Sequence, residues 1–283
     1  MDTATDAAPD AFLPPQRCDL TKPFGAPTVV ASINSAAKDI QAMLADDLTL
    51  YLTSDRGGNT DLYTATRTSA ASAFGTPAVL AGFNTTATET SPYLTADQLT
   101  MVYALAPMGV ANADLYVATR ASKTVGFSAG AALTALNSAE DDSDPVVTAD
   151  GALLYFASSR AGTGGYDLYV SVRAGATYGA PQLVTELDTN VYDAHPRVTA
   201  DGLTIYYSSM RTDGGALAGT DVWTAKRAST GVAFGTPTRV AELSTASNES
   251  PTFVAADGCS IFLQTDRAGG TGGQDIWEAI KPL

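Results

Sequence analysis

Residues 148–173 read TADGALLYFASSRAGTGGYDLYVSVR, and this stretch decides the fold. It opens on a turn at Asp150-Gly151 and runs through a short alternating segment, ALLYFAS. A Gly-rich loop follows Arg160, and a second alternating segment begins at Asp167-Leu168-Tyr169. Alternation over several residues, bounded by Gly and Asp, is the pattern of half-buried β-strands. The same order of marks recurs along the chain. Asp-Leu-Tyr or a close variant begins at Asp61, Asp114, Asp167, Asp221 and Asp275, with gaps of 53, 53, 54 and 54 residues. A turn stands before each copy, at Asp46-Asp47, Asp97-Gln98, Asp150-Gly151, Asp201-Gly202 and Asp257-Gly258.

A third mark, aromatic-Gly-x-Pro, begins at Phe24, Phe74, Tyr178 and Phe234, with a degenerate copy at Phe127. Each unit therefore holds about four short strands, the content of one propeller blade, and no segment sustains a helical period. The chain begins on an outer-strand mark at Phe24 and ends after a third strand at Ile276. The last unit lacks a fourth strand, and the segment from Phe24 to Ser32 supplies one. The expected fold is all-β: a single five-bladed β-propeller over residues 23–283, with four-stranded antiparallel blades and a ring closed by the N-terminal strand. Closure removes the open sheet edges that invite aggregation.

The 283 residues carry 30 acids against 16 Lys and Arg, a formal charge of −14, with one histidine. Such a chain repels phosphate backbones and anionic lipid, which argues against nucleic-acid binding. No run of apolar residues is long enough for a membrane helix, so no membrane insertion is expected. Residues 1–22 start as MDTATDAAPDAFLPPQ, an Ala/Asp/Pro-rich composition expected to form a disordered tether. It is similar to the tethers behind the lipid-modified cysteine of bacterial surface lipoproteins, which implies lipid anchoring in a full-length precursor. A monomer in the periplasm, on the cell surface or secreted is the corresponding expectation.

Cys18 lies just before the closing strand, and Cys259 just after the Asp257-Gly258 turn. In a propeller both fall at the bottom of the last blade. A disulfide across the ring closure is expected, and with it an oxidising compartment. Two cysteines and one histidine make a zinc site a poor expectation.

An acid recurs just before each first strand: Asp39, Glu89, Asp142, Asp193 and Glu249. First strands line the channel, so these acids are candidate ligand-binding groups around an acidic mouth on the top face. Arg56, Arg160, Arg211 and Arg267 recur in the loops after the second strands, and blade two has no such arginine. The arginines and the aspartates Asp61, Asp114, Asp167, Asp221 and Asp275 are expected to be structural. An acid in every blade could equally be held by an arginine, which leaves Glu89 the acid without one. The series Tyr63, Tyr116, Tyr169, Trp223 and Trp277 is expected to pack between blades. Departures from the repeat are Glu140, Asp141 and Asp144 in blade three and Tyr192 and His195 in blade four. Asp144, Tyr192 and His195 join the candidate ligand-binding set.

The unit x-P-x-x-T-A-D-G…Y-x-x-S-x-R-x-G…D-L-Y resembles the WD-repeat-like propeller repeats of the periplasmic protein TolB and its relatives, over residues 24 to 283. That resemblance implies a scaffold used for binding. TolB-type propellers have six blades and an extra N-terminal domain, so their own partners are not carried over. The leading expectation is a non-catalytic module of the bacterial cell envelope that binds a protein or a glycan on its top face, without catalytic residues, cofactor or bound metal. One alternative is a calcium-dependent lectin or adhesion module, with the Glu140–Asp144 run supplying some oxygens, although no Asp-x-Asp-x-Asp-Gly loop is present. The other is a glycoside hydrolase. Five-bladed propellers include arabinan- and xylan-cleaving enzymes whose catalytic carboxylates sit on channel-lining strands. Asp142, Asp193 and Glu249 lie in comparable places, but the regular repeats are unlike that group's divergent blades.

Overall fold

The computed structural model of the chain describes residues 17–160, 162, 164–215 and 217–283. The first sixteen residues of the expected tether lie outside that set. Residues 17–22 lie against the last blade, where the Asp19 N–H donates to the Pro282 carbonyl at 2.8 Å and Lys281 Nζ to the Lys22 carbonyl at 2.6 Å.

The strands form five antiparallel sheets in a ring. Blade one holds Asp39–Asp46, Thr49–Ser54, Asp61–Thr66 and Ala78–Val79; blade two holds Thr88–Leu94, Thr100–Ala106, Asp114–Thr119 and Ala131–Ala132. Blade three is Asp142–Val147, Leu153–Ser158, Asp167–Ala174 and Gln182–Leu183, with a small extra hairpin strand at Thr177–Tyr178. Blade four is Asp193–Val198, Thr204–Ser209, Asp221–Lys226 and Thr238–Arg239. Blade five takes Glu249–Val254, Ser260–Thr265 and Asp275–Ile280 from the C-terminal end and Thr28–Val29 from the N-terminal end. Thr28 pairs with Glu278 and Val29 with Trp277, so the ring closes as the order of the repeats predicts. Cys18 and Cys259 form the disulfide across that closure, 241 residues apart in sequence, with Cα atoms 5.6 Å apart.

Each repeated motif has a local physical reason. In the Thr-Ala-Asp turns, Thr148 Oγ1 donates to Asp150 Oδ1 at 2.6 Å and the Ala152 N–H to the same oxygen at 2.9 Å; Thr199 and Asp201 repeat the arrangement. Gly151 follows at φ 69°, in the left-handed region where a Cβ is strained. Blade two puts Gln98 there at φ 61°, and its amide bonds to the Ala45 carbonyl and to Asp46 of blade one. The aromatic-Gly-x-Pro motif seats its ring beneath the cation that ends the third strand. Arg67 lies 4.5 Å from the Phe74 ring, Arg227 4.4 Å from Phe234, and Lys281 4.4 Å from Phe24.

The core is divided among the seams. Five buried clusters form, one between each pair of neighbouring blades, including Ile33, Leu52, Phe262 and Ile276 in the closing seam. Burial of these side chains, about 25 cal/mol per Å² of apolar area, holds blade to blade. The channel between the first strands is left to a different set of residues.

Candidate active site

Each first strand carries a β-bulge at the same place, marked by register shifts at Ile40/Met43, Thr90/Tyr93, Ser143/Val146, Ala194/Arg197 and Pro251/Phe253. A bulge re-aims the side chains on either side of it. Here it separates two sets of residues that the sequence runs together.

The first set is the recurring acids, expected as a ring of ligand-binding carboxylates at the mouth. Asp39, Asp142, Asp193 and Glu249 are instead fully buried behind the bulge, each bonded to the arginine of its own blade. Arg160 reaches Asp142 at 2.6 Å, Arg267 reaches Glu249 at 3.2 Å, Arg211 reaches Asp193 at 3.3 Å, and Arg56 bonds Asp39. The same guanidiniums donate to the carbonyls of Ile33, Leu136, Leu187 and Leu243 and lie over the rings of Tyr63, Tyr169, Trp223 and Trp277. Backbone and hydroxyl donors four residues earlier complete each acid's shell, as Ser35 does for Asp39 and Thr245 for Glu249. A carboxylate enclosed in this way cannot reach a ligand. This corrects their placement as ligand-binding groups, and it removes Asp142, Asp193 and Glu249 as hydrolase carboxylates. Burial pushes the carboxyls of Asp193 and Glu249 upward against these hydrogen bonds.

Glu89 departs from its four counterparts. Pro107 stands at the arginine's register position in blade two. Glu89 Oε1 accepts from Thr85, while Oε2 is buried with no hydrogen-bond partner among the described residues. Burial raises its pKa. It too lies behind the bulge, away from the channel axis, so it is not a ligand-binding group at the mouth.

The second set stands two residues further along each first strand. Gln41, Ser91, Asp144 and His195 all adopt positive φ, between 52° and 54°, and blade five has Pro251 in that place. Non-glycine residues held in this region cost about 1–3 kcal/mol each and cluster at functional sites. Their side chains meet at the channel axis. Asp144 Oδ1 accepts from Gln41 Nε2 at 3.0 Å and Ser91 Oγ at 2.9 Å. Gln41 Oε1 accepts from the Ser91 N–H, and the Gln41 N–H donates to Gln264 Oε1, both at 3.0 Å. That fixes Gln264 with its Nε2 toward His195 Nε2, 3.2 Å away. His195 Nε2 is then the acceptor, and Nδ1 carries the proton toward Ser208 Oγ at 2.9 Å; Ser208 in turn donates to the Ala194 carbonyl. Burial lowers the His195 pKa, which agrees with a neutral ring. Asp144 Oδ2 lies 3.6 Å from His195 Nε2.

A pocket of about 300 Å³ opens above this cluster on the top face. Asp141, Asp144, Tyr166, Tyr192 and His195 line its working side. The Tyr166 and Tyr192 rings sit 5.5 Å apart, tilted by 59°, and the Tyr192 hydroxyl lies 3.3 Å from His195 Nδ1. Asp141 Oδ2 accepts the Ala113 N–H at 3.3 Å, and burial raises the Asp141 pKa, with nearby Asp144 adding to the rise. The acids of the 140–144 run do not share one centre: Asp142 belongs to Arg160, and Glu140 is exposed. A separate group, Asp167, Asp188 and Asp193, brings one oxygen each within 4.8 Å, with Asp193 bonded there to Arg211.

Of the sequence candidates, Asp144, Tyr192 and His195 therefore meet in one site, while the five recurring acids do not. Gln41, Ser91, Gln264 and Tyr166 were not among the candidates, and Asp141 appeared only as a departure from the repeat. The signal for Gln41 and Ser91 was their place two residues after an acid, in register with Asp144 and His195.

Solved structures share this ring. The catalytic domain of a GH62 α-L-arabinofuranosidase from Coprinopsis cinerea superposes with a TM-score of 0.60 at 12% identity, over 92% of this chain and 96% of that one. An endo-arabinase from Bacteroides thetaiotaomicron gives 0.53 at 16% identity, over 92% and 97%. TolB from Acinetobacter baumannii gives 0.49 at 16% identity, over 92% of this chain and 54% of the other. No family model matches the sequence, and no curated protein matches it. Identities this low show a shared fold. They nonetheless correct two expectations, that of a non-catalytic binding module and that of a chain without enzymatic activity. Several structures that share the ring along nearly their whole length, with TM-scores above 0.5, are arabinofuranosidases or arabinases.

Proposed function

We propose that this chain is a glycoside hydrolase that works in the top-face pocket, with Asp144 as its anionic carboxylate and Asp141 as its proton donor. The observation that carries the reading is the seat of Asp144. It lies at the channel axis on a strained bulge, lines the pocket, and is bonded by side chains from blades one and two. Glycosidic hydrolysis needs two carboxyl groups in unlike environments. Asp141 supplies the contrast, because burial raises its pKa. In the reaction, Asp141 gives its proton to the glycosidic oxygen as the bond from that oxygen to the anomeric carbon breaks. The Asp144 carboxylate opposes the positive charge that develops on the sugar. Water adds to the anomeric carbon, and its proton returns to a carboxylate. Tyr166 and Tyr192 offer a tilted aromatic wall for the apolar face of a sugar ring. His195 is neutral, and through Gln264 and Gln41 it belongs to the same hydrogen-bonded frame as Asp144. The disulfide is compatible with an extracytoplasmic enzyme.

The test is turnover on a panel of aryl glycosides that includes α-L-arabinofuranosides, together with soluble arabinan and xylan. Asp144→Asn and Asp141→Asn should each lower kcat by about 10²–10⁴-fold. Absence of turnover by the parent chain on every member of the panel would sink the reading.

A further inference from the structure

The other end of the channel is built differently. A pocket of about 280 Å³ opens at the bottom face, lined by Met43, Tyr93, Leu94, Val147, Val198 and Phe253. These are the later residues of the same first strands that hold the polar cluster above. Arg197 separates the two ends. Buried, it extends from blade four and donates to the carbonyls of Thr252, Pro196 and Asp144. The mouth is ringed by the small residue of the Thr-Ala-Asp turns, Ala96, Ala149 and Ala200, and by Ala256 of the Ala-Ala-Asp turn in blade five. Alanine at these positions leaves the opening clear.

One charge on the wall breaks the repeat. Glu278 occupies the fourth position of its third strand, where the other blades have Thr64, Val117, Val170 and Thr224. Its carboxyl makes no hydrogen bond and no ion pair among the described residues; burial raises its pKa, and the charges of Arg67 and Arg17 on the same wall oppose that rise. The neighbouring arginines act on Glu278 through space while their direct bonds go elsewhere. Arg17 is bonded to Asp257 at 2.7 Å and lies 3.9 Å from Asp47. Arg67 donates through Nε to the Asp47 carbonyl at 2.6 Å and covers the Phe74 ring. Asp46 accepts from Gln98 and from the Leu48 N–H. A pocket with an apolar wall and a carboxylate that makes no hydrogen bond or ion pair, in a chain of net charge −14, is complementary to a cation with an apolar body.

We propose that the bottom pocket is a second, independent site that binds a small organic ammonium, with its apolar body among Tyr93, Val198 and Phe253 and its charged nitrogen on Glu278. The site is separate from the top-face pocket, and the disulfide-held segment at Cys18 sets Arg17 on its rim.

Calorimetric titration with 4-phenylbutylammonium, and with uncharged 4-phenylbutanol as its counterpart, tests this. The ammonium should bind about tenfold more tightly than the alcohol, the ratio expected for one charge-assisted hydrogen bond. Glu278→Gln should abolish that preference while keeping the alcohol's affinity. Ala149→Trp, a surface turn change at the mouth, should block both ligands, whereas Asp144→Asn should alter neither. Absence of ammonium binding, equal binding of the two probes by the parent chain, or binding that survives Ala149→Trp would each overturn the proposal. Glycosidase activity plays no part in these readouts, so they stand apart from the fate of the hydrolase reading.

Discussion

The two ends of one channel are lined by the same five strands, yet one end is polar and strained and the other apolar and relaxed. Above Arg197, the bulge turns Gln41, Ser91, Asp144 and His195 inward at positive φ and binds them to one another. Below it, Met43, Leu94, Val147, Val198 and Val254 line the bottom pocket. The difference lies in one extra residue per strand. A bulge inverts which side chains face inward, so a single strand can present a chemical site at one end and an apolar wall at the other. The arginine–carboxylate struts stand just behind the bulges and hold the strained end in place.

The sharpest way to break this comparison is to disable one end and watch the other. Asp144→Asn should lower kcat on the best glycoside by about 10²–10⁴-fold while thermal unfolding and 4-phenylbutylammonium binding stay near the parent values. Loss of both functions together would mean that the ends are not separate sites.

The next effect belongs to the bottom. Replacing Cys18 and Cys259 with serine removes a crosslink that spans 241 residues and should cost about 2–4 kcal/mol of stability, read as a lower urea midpoint. At temperatures where the variant remains folded, turnover at the top should persist. A collapse of activity in a folded, reduced chain would show that the clasp also shapes the top pocket.

The fold was legible because it repeats. Turn, strand, loop and Asp-Leu-Tyr return at nearly constant spacing, and each mark meets a local need: a Thr–Asp bond in the turn, a ring under a cation, an apolar seam between blades. The site was legible only in part. The recurring acids looked like a channel ring because alternation places the start of a first strand at the mouth. Their burial depended on the bulge, which a pattern of period two does not reveal. Asp144, Tyr192 and His195 stood out because they break the repeat. Gln41 and Ser91 are ordinary polar residues whose importance comes from φ and from partners on distant blades, 103 and 53 residues from Asp144. The arginine struts illustrate the opposite case. A residue type that returns in blade after blade holds the blade, and blade two, which lacks it, shows what the missing cation leaves behind.

That contrast gives a smaller effect, confined to the top. Glu89 has no arginine, and burial raises its pKa. A carboxyl with a raised folded pKa holds its proton longer in the folded state than in the unfolded one. Its contribution to stability is therefore present below the unfolded value, about 4.3, and is lost as pH rises through the folded value. Glu89→Gln should raise Tm at pH 7 and bring little gain at pH 4. Pro107→Arg, with Leu105→Ser to restore the hydroxyl found at Ser158 and Ser209, offers a second route to the same gain by supplying the strut of blades three and four. An unchanged Tm at pH 7 in both variants would show that Glu89 is compensated in some other way, and that blade two is no weaker than the rest.

The smallest expected effect separates the ends by their response to acid. His195 is buried, and its pKa is lowered chiefly by that burial, with Arg197 and Lys38 lowering it further and Asp144 opposing them. The unfolded chain takes up the proton near pH 6.5, before the folded one does. This histidine's contribution to stability is thus complete above about pH 6.5 and falls away as pH drops toward the lower folded value. His195→Gln keeps a polar group near Ser208 and Gln264 but removes the titration. The pH dependence of the urea midpoint should flatten below pH 6.5 in this variant, while Ala149→Trp at the bottom should retain the parent slope. Protonation of His195 would also turn Nε2 from acceptor to donor, break its bond from Gln264 and direct a proton toward Asp144, so hydrolysis should decline on the acid side over the same interval. A parent slope that survives in His195→Gln would place the acid sensitivity elsewhere and leave the neutral histidine a spacer in the polar cluster rather than its titrating member.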